Sequence, residues 1–273
     1  MHERHRNALH SGLIKRGTNR RQLLAAGCSL LLLSACGRNA SNQANPKTKV
    51  ILIGAIHQGH VISGSYSLAI LEDAVRKTAP DQIFTEIPPD RLAKAEAEFH
   101  MDGAVTEERV AVFPEYRDML FPLARELDFD IIPVAGWTQQ MADNRTAALK
   151  RIKNDPARAQ EWAEHQEAQS AFNKTVKARR DDPAFIHSAA YDALVEKAQT
   201  PYQKNFDEDL GAGGWTEINA SHYALIDAQL DKVTGQGKTV MIIFGAWHKY
   251  MFLKELEKRS DIELIDPVPL LTG

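Results

Sequence analysis

Cysteine is nearly absent from this chain. The 273 residues hold two, Cys28 and Cys36. Both fall in an amino-terminal stretch that reads as an export signal, so no disulfide is expected to brace the domain that follows. Also missing are a Gly-x-Ser-x-Gly elbow, a His-Glu-x-x-His helix and zinc-knuckle spacing, which argues against a serine hydrolase or a standard zincin. Gly211-Ala212-Gly213-Gly214-Trp215 is rich in glycine, yet no strand precedes it and no Lys-Ser or Lys-Thr follows, so it is not a nucleotide loop. It reads instead as a hinge or loop able to bring Trp215 toward a pocket. The apolar run Leu23 to Leu33 has only eleven residues, too few for a permanent membrane span. No internal repeat stands out.

What is present at the amino terminus is a basic stretch (Arg4, Arg6, Lys15, Arg16, Arg20, Arg21), that short apolar run, and then Leu33-Ser34-Ala35-Cys36. The order is that of a signal peptide over residues 1–35 ending in a lipobox, with Cys36 as the lipidated first residue of the mature chain. Thr18-Asn19-Arg20-Arg21-Gln22-Leu23-Leu24 is similar to a twin-arginine signal, and an ordinary Sec signal with a basic flank fits equally. Residues 36–47 read as a polar tether. The expected location is the bacterial cell envelope, at the periplasmic face of the outer membrane if the host has two membranes. Removing six basic residues and one acidic residue moves the formal charge from -3 to -8. An acidic mature surface argues against nucleic acid and against electrostatic membrane binding, leaving the lipid as the membrane contact.

From residue 48 onward, strand-like and helix-like segments alternate. Lys49–Ile53, Gln82–Thr85, Phe129–Val134 and Thr239–Phe244 are short and apolar, the first and last on both faces, as buried parallel strands are. Helices are expected over 67–77, 88–100 and 114–127. Between Thr138 and Lys232 no strand is evident. Runs of Ala, Glu, Gln, Lys and Arg there predict helices near 138–153, 156–180 and 183–198. The predicted architecture is a single α/β domain, 48–273. It has a largely parallel central sheet flanked by helices, and a helical insert over about 138–232 that either covers a site or simply adds bulk.

Two of those strands run into nearly the same four residues, Gly54-Ala55-Ile56-His57 and Gly245-Ala246-Trp247-His248. Ligands of open α/β sheets bind beyond the carboxyl ends of the strands, so both histidines are aimed at one place. The second strand ends in Glu86. Two imidazoles and a carboxylate form a common set for a catalytic divalent cation, with zinc, manganese, cobalt and iron all compatible. Arg91 is a candidate partner for Glu86 or for a developing oxyanion, because a buried lone carboxylate is costly. Taken singly, each histidine reads as a hydrogen-bonding cap; the matched pair with Glu86 reads as a site. His60, Trp137, His222 and Trp247 are possible pocket residues, each also readable as core or loop. His100, His165 and His187 are expected at the surface.

Paired Gly-x-x-His motifs near both ends of an α/β domain, with Glu86-x4-Arg91-Leu92 after the second strand, resemble the superfamily of TraB, GumN and PrgY proteins and the Tiki metalloproteases. The stretch from Ile243 to His248 and on through Leu264-Ile265-Asp266-Pro267-Val268-Pro269-Leu270 is similar to a bacterial family of that superfamily. The likeness spans roughly residues 48–270 but rests on few positions. It implies a metal-dependent hydrolase of peptide, amide or ester bonds, acting on a small-molecule or peptide substrate. His57, Glu86 and His248 would be ligands, and Glu86, Arg91 and Asn219 would take catalytic roles. The superfamily's Arg-Asn pair before the last strand is represented here by Asn219 alone. A second branch of the resemblance, to the haem-binding lipoprotein ChaN, implies a non-catalytic haem- or ligand-binding protein. The arginine missing before Asn219 leaves room for a third reading, a regulatory protein whose site has degenerated.

Overall fold

The computed structural model describes residues 45–273, so the signal segment, Cys36 and most of the tether lie outside the described residues. Five strands, β1 (Thr48–Ala55), β2 (Gln82–Thr85), β3 (Asp130–Pro133), β4 (Thr239–Gly245) and β5 (Ile262–Ile265), form one sheet in the order β3-β2-β4-β1-β5. Every pairing is parallel. This is the α/β class the sequence predicts.

The sheet is covered on both faces, which is why its strands lack polar alternation. Ile51, Ile53, Ile83, Met241 and Ile243 face one apolar core. Val50, Leu52, Phe84, Val240, Ile242 and Phe244 face the other. The helices between β1 and β3 are α1 (Gly59–Ile62), α2 (Leu68–Thr78), α3 (Pro89–Asp102) and α4 (Phe121–Glu126). Pro89 opens α3, where its missing N–H costs nothing, and Gly103 closes it at φ 69°, a conformation glycine adopts freely. The helix expected over 114–127 is not uniform: Glu115–Leu120 forms a π-helical turn before α4.

Between β3 and β4 lie α5 (Gln139–Asn154), α6 (Ala159–Val176), α7 (Pro183–Ile186), α8 (Ala189–Leu210) and α9 (Trp215–Val233). Thr138, Asp182 and Ser188 cap three of these, each side chain accepting from a backbone N–H. The helix expected over 183–198 divides, because Ser188 ends one helix and starts the next. The second part then runs through Pro201 to Leu210. In the turn that the proline loosens, Gln169 Nε2 donates to the carbonyl of Ala198 at 3.2 Å.

The first part of the segment has a core of its own, built on Ala148, Ile152, Tyr202, Phe206 and Leu210. In contrast, α9 places Ile226, Leu230 and Val233 against the sheet. It is thus a flanking helix rather than a continuation of the insert. The chain closes with α10 (Lys249–Leu256) and α11 (Val268–Thr272).

Candidate functional site

The two similar motifs meet because β1 and β4 are neighbours. Gly54 lies opposite Phe244 and Ala55 opposite Gly245. On the other side of β4, Thr85 lies opposite Ile243, so Glu86 leaves the sheet at the same level. Adjacent strand exits therefore deliver His57, Glu86 and His248 to one edge. Close packing enforces this: a Cβ on Gly54 would stand 3.1 Å from Ala246. The N–H of Ala246 donates to the carbonyl of Ala55 at 2.9 Å.

His57 has a left-handed backbone, φ 50°, rare for a residue with a branched ring side chain and a form of strain concentrated at functional turns. Its Nδ1 lies 2.6 Å from Oε1 of Glu115, a fully buried carboxylate. His248 is arranged alike, Nδ1 lying 2.7 Å from Oδ1 of Asn219, whose Nδ2 donates to the Trp215 carbonyl at 2.7 Å. With each Nδ1–H donated, each Nε2 is left as an acceptor. Among the described residues neither Nε2 has a hydrogen-bond partner, and that of His248 stands 3.8 Å from Oε1 of Glu86. The N–H of Gly245 donates to Glu86 Oε2 at 2.9 Å. The space is made by glycine: a Cβ on Gly245 would lie 2.7 Å from Nε2 of His57 and 3.3 Å from Oε2 of Glu86. Tyr116 braces the arrangement, its hydroxyl accepting from the Glu86 N–H at 2.9 Å and donating to the Ile243 carbonyl at 2.7 Å.

Electrostatics separate the groups. Burial opposes the charged form of His57, but the hydrogen bond and charge of Glu115, with Glu86 behind it, outweigh that and raise its pKa. Burial, assisted by His222 and His57, drives His248 well below the usual imidazole range and keeps it neutral. Burial also raises Glu86, partly countered by His57 and the Gly245 N–H.

These donors were tested against a divalent cation. Two imidazoles fixed through Nδ1 to a carboxylate and an amide, each offering Nε2, are the arrangement in which outer partners orient metal-binding histidines. Bonds of about 2.1 Å in a tetrahedron set neighbouring donors roughly 3.4 Å apart. The 3.8 Å between Glu86 and His248 is a few tenths wider. Among the described residues no three His, Cys, Asp or Glu side chains already stand within metal-holding distance of one another. The donor chemistry and the glycine cradle fit; the spacing is still open.

The other expected residues take other positions. Arg91 does not face Glu86: its guanidinium contacts Asp90 at 3.2 Å and buried Glu107 at 3.4 Å. The arginine whose charge acts on Glu86 is Arg109. His60 is spent on loop structure, Nε2 accepting from the Ile56 N–H at 2.9 Å and Nδ1 donating to the Tyr66 carbonyl at 2.7 Å. His222 is buried, with Nδ1 accepting from the Gly136 N–H at 2.7 Å, so its proton sits on Nε2, which has no partner. Its ring meets that of His248 edge-on at 5.2 Å. Trp137 stands 6.3 Å from His222 under the Arg145 guanidinium and does not line the site cavity. His187 is not a surface residue: its Nε2 accepts from the N–H of Gly54 at 2.9 Å, tying the insert to the exit of β1. His165 is likewise half-buried among Trp162, Tyr202 and Phe206. His100 is exposed, as expected.

Beside the two imidazoles lies a cavity of about 460 Å³. One wall is the insert, with Phe172, Asn173, Val176, Arg180 and Tyr191; the other holds Trp215, Ala246 and Trp247. Trp215 stacks on His248 at 4.7 Å and 24°, and Phe172 meets Trp247 edge-on at 4.7 Å. The insert thus covers the site, the more specific of its two expected roles. Trp247 and Trp215 reach the pocket as the sequence anticipates. Glu115, Phe172 and Arg180 were not anticipated. Only Glu115 carried a signal, a charged residue beside the apolar stripe of the 114–127 helix, and surface glutamates look the same.

No protein-family model, curated protein or solved structure matches this chain significantly.

Proposed function

We propose that this chain is a hydrolase of peptide, amide or ester bonds that works with a divalent cation bound by His57, Glu86 and His248. We also propose that it is a lipid-anchored envelope protein of the TraB, GumN, PrgY and Tiki type. The observation that carries the reading is that both imidazoles are pinned at Nδ1, by Glu115 and Asn219, and turn Nε2 toward Glu86. Zinc, manganese, cobalt or iron at such a donor set supplies a Lewis acid for the scissile carbonyl.

The remaining tasks fall to the chain itself. Glu115 fixes the His57 tautomer and strengthens its basicity. Asn219 acts as a positioning residue through His248, which replaces the oxyanion role expected from Arg91. Tyr116 and the Gly245 N–H hold Glu86 in place. Phe172, Trp215 and Trp247 wall the cavity and keep water from the reacting centre.

The test is elemental analysis by mass spectrometry on protein purified without a metal-affinity tag, parent beside the His57→Ala, His248→Ala double variant. Near-stoichiometric metal in the parent and none in a folded variant is the expected result. Equal metal in both, or none in either after reconstitution with each of the four metals, ends the proposal.

A further inference from the structure

We infer that Arg180 is the substrate-selecting residue of this pocket, binding a carboxylate that sits next to an aromatic or branched apolar group. The inference rests on the hydrolase reading only for the word substrate; the binding it asserts stands without turnover.

Among the described residues lining the 460 Å³ cavity, Arg180 is the one arginine or lysine, and no aspartate or glutamate shares the wall with it. Its neighbours are accounted for. Arg179 is paired with Asp182 at 2.9 Å and lies over the ring of Phe185 at 4.1 Å. Asp181 accepts from the hydroxyl of Ser63 at 2.8 Å. Arg180 has no ion pair or hydrogen bond to any described residue, although five of the next six arginines and lysines in this size of fold that touch a wall are not required for the point: its side chain is exposed and its donors are free.

A guanidinium held over a cavity of aromatic walls offers a planar fork for a carboxylate, with less competing solvent than on an open surface. Phe172, Tyr191, Trp215 and Trp247 supply the apolar surface beside it. The volume lies in the range of small-ligand pockets, so the occupant is small. The carboxylate could belong to a peptide carboxyl terminus or to a simple aryl acid, and the two are separable.

Equilibrium dialysis of the full chain would compare alanyl-phenylalanine, its carboxamide and hydrocinnamate. The parent should bind the dipeptide at least about tenfold more tightly than its amide, the size expected of one charge-assisted pair. Arg180→Gln should remove that preference and Arg180→Lys should restore part of it, while Arg179→Gln keeps it. Tight hydrocinnamate binding would identify an aryl-acid site, and weak hydrocinnamate binding a peptide terminus. No preference in the parent, no binding of any ligand, or equal loss in Arg179→Gln would overturn the inference. Repeating the comparison in His57→Ala separates it from the hydrolase reading, since that variant lacks the proposed reaction but retains Arg180.

Discussion

Oε1 of Glu115 lies 2.6 Å from Nδ1 of His57, and Oε2 of the same buried carboxylate has no hydrogen-bond partner. A carboxylate taken out of water with half its acceptor capacity unused is a cost that few structural roles justify. Its effect here is to set the tautomer and charge preference of a histidine whose other nitrogen faces the cavity side of Gly245.

Glu115→Gln keeps the shape and removes the charge. In chelator-treated protein the pKa of His57, followed by histidine NMR, should fall, because the carboxylate is what raises it. The sign for stability follows. A value raised on folding contributes below pH 6.5, and that share disappears as pH climbs past the raised value. Metal affinity should drop by roughly 10- to 100-fold. An unmoved pKa would show that Glu115 does not act on His57.

Asn219→Leu tests the second pin. The buried Nδ1–H of His248 would lose its acceptor, at a cost of about 1–3 kcal/mol in denaturant unfolding, and metal affinity should fall by roughly 10-fold or more. Unchanged affinity would remove Asn219 from the positioning role.

Gly245→Ala should abolish metal loading while leaving the fold. The added methyl would sit 2.7 Å from Nε2 of His57, inside contact distance, and Gly245 is not among the positive-φ glycines. The stability loss should be that of local overpacking, about 1–3 kcal/mol. Full metal content in the alanine variant would mean that the cleft beside Gly245 is not where a cation binds.

Stability should fall with acid between pH 6.5 and about 4. Burial lowers His187 to about 4 from 6.5, so its neutral form is favoured in the fold, and the stability this gives is complete above pH 6.5 and lost as pH falls through the lower value. The share of His187 is roughly 3 kcal/mol. Urea unfolding at neutral and acid pH should show a smaller acid loss for His187→Gln than for the parent; equal losses would rule out the latch to Gly54 as the source.

Much of this was legible in the chain. The uninterrupted apolar runs at Val50–Ile53 and Val240–Phe244 announce strands buried on both faces, because no polar side is needed where helices cover both. The repeated Gly-Ala-x-His announces a shared edge. Pro89, Thr138 and Asp182 mark helix starts through local backbone chemistry, which is readable from neighbours in sequence. By itself, then, the sequence determined the α/β class, the strand exits that carry His57, Glu86 and His248, and the helical cover.

Which side chains those three would meet was decided only by tertiary structure. Placing β4 between β1 and β2 brings the motifs together, and strand order is a long-range choice without a local signature. Glu115 reaches His57 because a π-helical turn buries two consecutive residues, Glu115 and Tyr116, on an element where regular spacing would bury one. Arg91 turned to Glu107 for the same kind of reason: pairing depends on which acid the fold sets within reach, and reach is a property of three dimensions.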